Sequence, residues 1–428
     1  MNYSRWATRE EFLEKLTKVS YDTDIKKSGI PMTYDDENLY IKDDEAHTMV
    51  IGATGSGKTQ STVLPLLRLA IKAEESFVLH DVKGEICELL KEDLTKNNYN
   101  IVTINLADPT TGNSFNPLLL PYKLYKEGRK DDAIELLENV GYYFCQTERI
   151  NPTADPFWVN SACSLFVGLS LYLFENKSEE EITINNLVEL SSDFSVIEEY
   201  FNTLSKSSII FTNLVSIVQA PRETKGSIIS VFNQNLRLFT TRENLSKLLS
   251  TTDFDISSIQ KEKTALFIIT NNKASSSRLT PLIIEEIYEV ASLVNYKDRR
   301  LNILIDEFEY LMPFKNFNNM LTLGRSQRIR FNIYIKSFAE ISNRYGKENT
   351  EMLKMVFGNI IYLLANDLET LEEISKLCGK KKVNDNFEPL ITVEELKLLD
   401  MFEAIILIPR INPIRTKLVP DYQIKWEK

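Results

Sequence analysis

The sequence predicts an α/β fold, a mostly parallel β-sheet with crossover helices, interrupted by an inserted all-α domain. Four observations carry the prediction. Short apolar, β-branched runs ending at polar residues recur at His47–Ile51, Phe77–Asp81, Ile101–Asn105, Ala265–Thr270, Ile303–Asp306, Asn332–Ile335, Ile360–Leu364 and Ile405–Ile408. Most are followed by stretches of helical character, the alternation of parallel strands joined by crossovers. Within the runs hydrophobicity is continuous rather than alternating, which fits strands covered on both faces. Between about Leu119 and Leu249 the strand-like runs stop, and apolar residues fall at helical spacing, as in Ala133, Ile134, Leu136, Leu137 and Val140.

The expected organisation follows from that break. Residues 1–120 form the first part of a nucleotide-binding domain, 121–250 the helical insertion, and 251–428 the second part, with exits near Pro121 and Thr252. The run Lys380-Lys381-Lys382 follows Gly379 at an expected helix end and reads as a solvated turn. No internal repeat or low-complexity tract is visible.

Bulk properties narrow the class. Of the 428 residues, 43% are hydrophobic and 26% charged, the balance of an ordinary globular protein. Four scattered cysteines without a CxxC pair, and only two histidines, argue against a zinc site or a disulfide framework. No segment reads as long and apolar enough to span a bilayer; the strongest, Ala162–Phe174, has thirteen residues and suits a core helix. The expectation is a soluble, reduced, cytoplasmic chain without a signal peptide. A net charge of −11 argues against a wrapper of duplex DNA, so nucleic-acid contact must be concentrated in a few places.

The chemistry starts at Gly52-Ala53-Thr54-Gly55-Ser56-Gly57-Lys58-Thr59, a full match to the phosphate-binding loop pattern. A strand enters it and an apolar helix-like run from Val63 to Ile71 leaves it. Glycines let backbone N–H groups face phosphates without Cβ obstruction. On this reading residues 52–59 and Gln60 hold ATP, Lys58 reaches the β- and γ-phosphates, and the Thr59 hydroxyl ligates Mg²⁺.

The partner motif is Leu301-Asn302-Ile303-Leu304-Ile305-Asp306-Glu307. An apolar strand delivers Asp306 to the carboxyl edge of the sheet, where it would hold the Mg²⁺ shell. Adjacent Glu307 would polarise the attacking water. The long separation between the two motifs suits RecA-like motor ATPases. Nineteen residues after Asp306, Arg325 is either an arginine finger for a neighbour's site or a surface residue of the basic stretch Arg325, Arg328, Arg330. Asp81 either touches the nucleotide pocket or caps the helix after it.

Together these motifs resemble the TraG/TraD-type coupling ATPases of conjugation and type IV secretion. Ser4-Arg5-Trp6-Ala7-Thr8 with Glu10-Glu11, Asp81-Val82-Lys83-Gly84-Glu85, Phe115-Asn116-Pro117-Leu118, Asp155-Pro156-Phe157-Trp158, Lys225-Gly226-Ser227-Ile228, Gly324-Arg325 and Tyr345-Gly346 follow the order of that family's motifs. The resemblance implies a RecA-like P-loop NTPase domain plus an all-α domain, assembled as a homo-hexamer around a channel. It implies ATP-driven movement of single-stranded DNA and attached relaxase toward a type IV secretion channel, with Arg325 as the inter-subunit finger.

Two departures stand out. Val82 replaces a proline, and Lys336-Ser337 stands where the family has glutamine before serine. The family's membrane helices are not seen either, which points to a longer protein or a separate membrane subunit, with the chain at the cytoplasmic face of the plasma membrane. Competing readings are an FtsK- or HerA-like double-stranded DNA translocase, and a non-catalytic ATP-gated receptor for secretion substrates.

Overall fold

The computed structural model describes residues 3–20, 25–146, 155–271, 273–293, 297–384 and 386–426. It divides into two compact units: Met1–Ile101 with Ser257–Ile268 and Ala291–Lys428, and Val102–Ile256 with Ile269–Val290.

The first unit is built on sheets. Strands β1 (Thr17–Ser20), β2 (Ile30–Tyr34) and β3 (Asn38–Lys42) make a small antiparallel sheet in the order β1-β3-β2. The main sheet contains β4 (Thr48–Gly52), β5 (Ser76–Asp81), β8 (Leu301–Ile305), β9 (Ile329–Ile335) and β10 (Asn359–Leu364), together with β6 (Asn100–Asn105) and β7 (Thr264–Ile269), whose last residues are counted with the second unit. A hairpin of β11 (Lys380–Val383) and β12 (Asn386–Pro389) follows, then β13 (Glu403–Leu407) and β14 (Ile414–Lys417). The main sheet runs β14-β13-β10-β4-β9-β8-β5-β7-β6. β10, β4, β9, β8 and β5 are parallel, whereas β13 and β14 add on antiparallel. Every residue of β4, β5, β8 and β9 is buried, as continuous apolar runs require of strands covered on both faces.

All eight expected runs are strands, and the α/β class with a mostly parallel sheet is what the chain adopts. Three features were not anticipated. The small sheet buries Val19, Leu39 and Ile41 against Leu69, Val419 and Ile424, so its strands are too short and too one-sided to mark themselves. The three lysines form β11 rather than a turn: Gly379, at φ +82°, ends the helix Leu368–Cys378 and feeds the chain straight into the hairpin. Arg330 is not a surface residue but lies buried at the start of β9.

The second unit is helical, with long helices at Lys130–Cys145, Pro156–Asn176, Ile209–Val218 and Arg222–Thr240. Phe144 lies between Phe166 (ring centroids 5.8 Å) and Phe239 (4.5 Å), tying three helices by aromatic packing. Asn116, from the Phe-Asn-Pro-Leu run, fastens the ends of the unit. Its amide donates to the carbonyls of Ile182 (2.7 Å) and Ser250 (3.0 Å).

The unit differs from the expected 121–250 insertion. It begins at Val102, ends at Ile256 and takes in Ile269–Val290, which had been assigned to the nucleotide-binding part. The cause is the helix Ala274–Leu293. Its Leu282 lines a small cleft with Pro121, Leu136 and Val140, although its place after a strand makes it read as a crossover. The thirteen-residue core helix also needs correction. It is the 21-residue helix Pro156–Asn176, capped by Asp155, and it is long and apolar enough to cross a membrane by length and composition. In the fold, 61% of its most apolar window is buried.

Candidate functional site

The parallel strands deliver their last residues to one edge, and the site forms there. β4 ends at Gly52, and the loop that follows is held open by Gly55 (φ +81°) and Gly57 (φ +87°), backbone states that disfavour a Cβ. Gly52 is needed for another reason: a Cβ there would lie 2.3 Å from the Ser56 hydroxyl and 2.8 Å from Lys58 Cγ. The loop is anchored by the Ala53 N–H donating to the Leu364 carbonyl of β10 (2.8 Å). The Lys58 ammonium folds back onto the Gly52 carbonyl, and the buried Ser56 hydroxyl has no hydrogen-bond partner.

A cavity of about 430 Å³ opens over this loop. Residues 53–60 line it from β4. Asp81, Val82, Lys83, Glu85 and Ile86 line it from the end of β5, Asp306 and Glu307 from β8, and Lys336 from β9. Met401 and Phe402 close it from the turn before β13. The structure therefore gathers the predicted Ala53, Thr54, Gly55, Ser56, Gly57, Lys58, Thr59, Gln60, Asp306 and Glu307 around one space. Gly52 sits just behind it. Arg325 is not among the lining residues; it is exposed, with its guanidinium donating to the Val356 carbonyl (3.2 Å).

The electrostatics are those of charges taken out of water. Burial lowers the Lys58 ammonium below its usual range although Asp306 and Glu309 pull the other way. Burial raises the Asp306 carboxyl, opposed by the Lys58 charge. Glu309, behind the cavity wall, is raised by burial to about 7, and no other residue donates a hydrogen bond to either of its oxygens. Lys336 is lowered by burial, but the Tyr310 hydroxyl, Glu307 and Glu309 outweigh this and leave it well above its ordinary value.

The Asp306–Glu307 corner is fixed tightly. His80 Nδ1 lies 2.6 Å from the Asp306 carbonyl oxygen, and the Glu307 N–H donates to Asp306 Oδ1 (2.9 Å). Glu307 itself takes a left-handed conformation, φ +48°. Such strain in a non-glycine residue costs of order 1–3 kcal/mol and persists where the surroundings impose it.

Asp81 resolves both ways. Its carboxylate accepts from the N–H groups of Gly84, Ile86 and Cys87 (each 3.0 Å), capping the helix Glu85–Lys96, yet it also lines the cavity. Met401, Phe402 and Glu309 were not foreseen. The first two reach the site because β13 runs antiparallel to β10, so its start lies at the edge where β10 ends. Only the sheet topology could have found them. Glu309 had a visible signal, a second carboxylate two residues beyond Glu307.

The residues fit a nucleoside triphosphate with Mg²⁺. The loop offers glycine-flanked backbone and an unpaired hydroxyl, Lys58 offers a desolvated cation, and Thr59 and Asp306 offer the hard oxygen donors that Mg²⁺ prefers.

A family model described as "Type IV secretory system Conjugative DNA transfer" matches residues 4–388. The chain belongs to this type IV secretion family of conjugative DNA transfer. Members similar to it include Protein VirD4 of Rhizobium rhizogenes, 22% identical over 98% of this chain and 65% of the relative. Protein VirD4 of Agrobacterium fabrum is 22% identical over 89% of this chain and 59% of the relative. The chain thus spans roughly three fifths to two thirds of the length of these relatives.

Among solved structures, the plasmid coupling protein TrwB in complex with the ATP analogue ADPNP superposes with a TM-score of 0.72. It is 15% identical, with 98% of this chain and 94% of that chain covered. TrwB in a trigonal form with sulphate gives 0.73 at 16% identity, covering 99% and 96%. VirB4 of Thermoanaerobacter pseudethanolicus gives 0.55 at 10% identity, covering 92% and 97%. At these identities the likeness is one of fold, an α/β domain with a mostly parallel sheet and a helical unit.

Proposed function

We propose that this conjugative coupling protein is an ATP hydrolase that works as a homo-hexameric motor. In this reading it recruits single-stranded DNA with its attached relaxase and drives it toward a type IV secretion channel. The observation that carries the proposal is the convergence of Lys58, Thr59, Asp306 and Glu307, from two strands far apart in sequence, on one cavity. TrwB, which shares the fold, has been seen with ADPNP and with ADP and Mg²⁺, and this supports the choice of ligand.

Backbone amides of residues 53–58 cradle the phosphates, with Lys58 against the β and γ groups. Thr59 and Asp306 hold Mg²⁺, which supplies neutralising charge for the triphosphate. Glu307, aimed from its fixed turn, orients the attacking water and takes its proton as the new bond to the γ-phosphorus forms and the bond from that phosphorus to the bridging oxygen breaks, releasing ADP and inorganic phosphate. Arg325 serves the site of the adjacent subunit, where its charge stabilises the transition state. The motor acts at the cytoplasmic face of the plasma membrane, through partners or a membrane subunit.

The test is hydrolysis by purified protein with and without single-stranded DNA. Lys58→Ala and Glu307→Gln should each lower turnover by at least about 100-fold, the scale of removing one group that stabilises or activates in the transition state. Unchanged rates would reject the site. Stimulation by duplex in preference to single strands would favour the double-stranded translocase. Tight nucleotide binding without turnover, together with relaxase capture, would favour the receptor.

A further inference from the structure

Lys336 occupies a position that the site has not yet used. β9 lies between β4 and β8 in the sheet, with Ile335 paired to Ile51 and Ile333 paired to Ile305. The next residue therefore emerges between the phosphate loop and the Asp306–Glu307 corner. Its ammonium is 3.4 Å from Glu307 Oε1, 3.6 Å from Glu309 Oε1 and 2.9 Å from the Tyr310 hydroxyl, and it sits 4.2 Å over the Tyr310 ring. One cation thus grips three successive polar groups of the short turn that begins at Glu307.

The arrangement is more than local charge balance. The Glu309 side chain is 2% exposed with no donor from another residue; Lys336 makes the ion-pair contact with it, and the Lys58 charge acts on it as a smaller influence. Glu307, by contrast, is partly open to the cavity and needs direction rather than neutralisation. A cation shared between a buried carboxylate and an open one ties the second to the rigidity of the first.

We propose that Lys336 is a positioning residue for hydrolysis, using buried Glu309 as a fixed anchor and holding the Glu307 carboxylate toward the attacking water. The inference rests on the ATPase reading and deepens it. Lys336 acts through Glu307, so its loss should lower kcat while leaving ATP binding largely in place.

The experiment measures kcat and KM for ATP in the full chain with Lys336→Gln, Lys336→Arg, and Lys336→Met combined with Glu309→Met. Lys336→Gln should lower kcat about 10- to 100-fold with KM within about threefold, the signature of an interaction made in the transition state. Lys336→Arg should recover a large part of it. The double variant removes the buried charge with its partner, so its melting temperature should equal or exceed that of wild type while kcat stays low.

A Lys336→Gln kcat within twofold of wild type would overturn the proposal. So would a double variant that regains full turnover, because Lys336 would then serve only to neutralise Glu309. A rise in KM with kcat unchanged would make Lys336 a phosphate ligand and also overturn it. In each of those cases wild type still hydrolyses ATP in a Lys58-dependent way. Absence of that activity would instead overturn the ATPase reading together with this one.

Discussion

The two edges of the central sheet both carry buried charges and treat them oppositely. At the amino edge, before β5, β8 and β9, buried Arg300, Arg330, Glu75, Asn302 and Ser28 form a closed network. Arg300 donates to Glu45 (2.7 and 3.0 Å), to the Ser28 carbonyl (3.0 Å) and to the Asp43 carbonyl (2.8 Å). Arg330 donates to Asn302 Oδ1 (2.6 and 3.0 Å), and the Asn302 amide donates on to Glu75 (2.8 Å). None of these side chains has a buried polar atom without a partner. At the carboxyl edge Ser56 and Glu309 both have such atoms, and Lys58 and Asp306 are displaced from their ordinary ionisation by burial.

The difference separates structure from chemistry. A closed buried network contributes specificity and is costly to break, whereas groups left short of partners are available to a ligand. The contrast can be tested where it should be greatest. Glu75→Ala removes the buried carboxylate shared by Arg300, Asn302 and Ser28, leaving Arg300 with Glu45 alone, and should cost about 3–5 kcal/mol in urea denaturation. The KM for ATP of the folded fraction should not change. A loss below about 1 kcal/mol would mean that the amino edge is no more committed to stability than an ordinary surface.

A smaller effect is expected from protons. His47 precedes β4 at the amino edge. Its Nδ1 accepts the Phe331 N–H (3.0 Å) and its Nε2 lies 2.6 Å from the Leu321 carbonyl, so the neutral ring is the form that fits. Burial pushes it down to about 4, aided by the Arg325 and Arg330 charges and opposed by the Leu321 carbonyl. The folded value lies below the unfolded one, so the contribution is complete above about pH 6.5 and is lost as pH falls toward 4. Across that window it amounts to up to about 3 kcal/mol. His47→Gln should flatten this part of the stability–pH curve; parallel curves for variant and wild type would show that the histidine is not held neutral.

The same contrast explains what could be read from the chain beforehand. The phosphate loop, Asp306 and Glu307 were legible because each is a short pattern on an apolar strand, and continuous burial marks such strands. The amino-edge network was not. Arg330 sits in a basic stretch with Arg325 and Arg328, and local sequence says nothing of Asn302 or Ser28, which reach it from other parts of the chain. Phe402 was hidden for a similar reason, since an antiparallel strand brings it to the cavity. The helix Ala274–Leu293 departs from the expected boundary because packing, not its place after a strand, sets where the units divide, at Val290 within the helix. Patterns confined to a few residues were visible; contacts set by topology were not.

The smallest expected effect on stability is at Arg325, and there the comparison becomes sharpest. This side chain is exposed, its guanidinium donates to the Val356 carbonyl, and it touches the amino edge through its charge on His47. Arg325→Ala should therefore change unfolding free energy by less than about 0.5 kcal/mol, the range of surface substitutions away from special features. Its effect on hydrolysis should be large all the same, on the order of 10³-fold if it completes a neighbour's site. Mixing Arg325→Ala subunits with Lys58→Ala subunits should then restore part of the activity, because some junctions pair an intact loop with an intact arginine. Mixed rings without any rescue would remove the arginine from the mechanism and leave the chain's own cations, Lys58 and Lys336, to serve the hydrolytic corner.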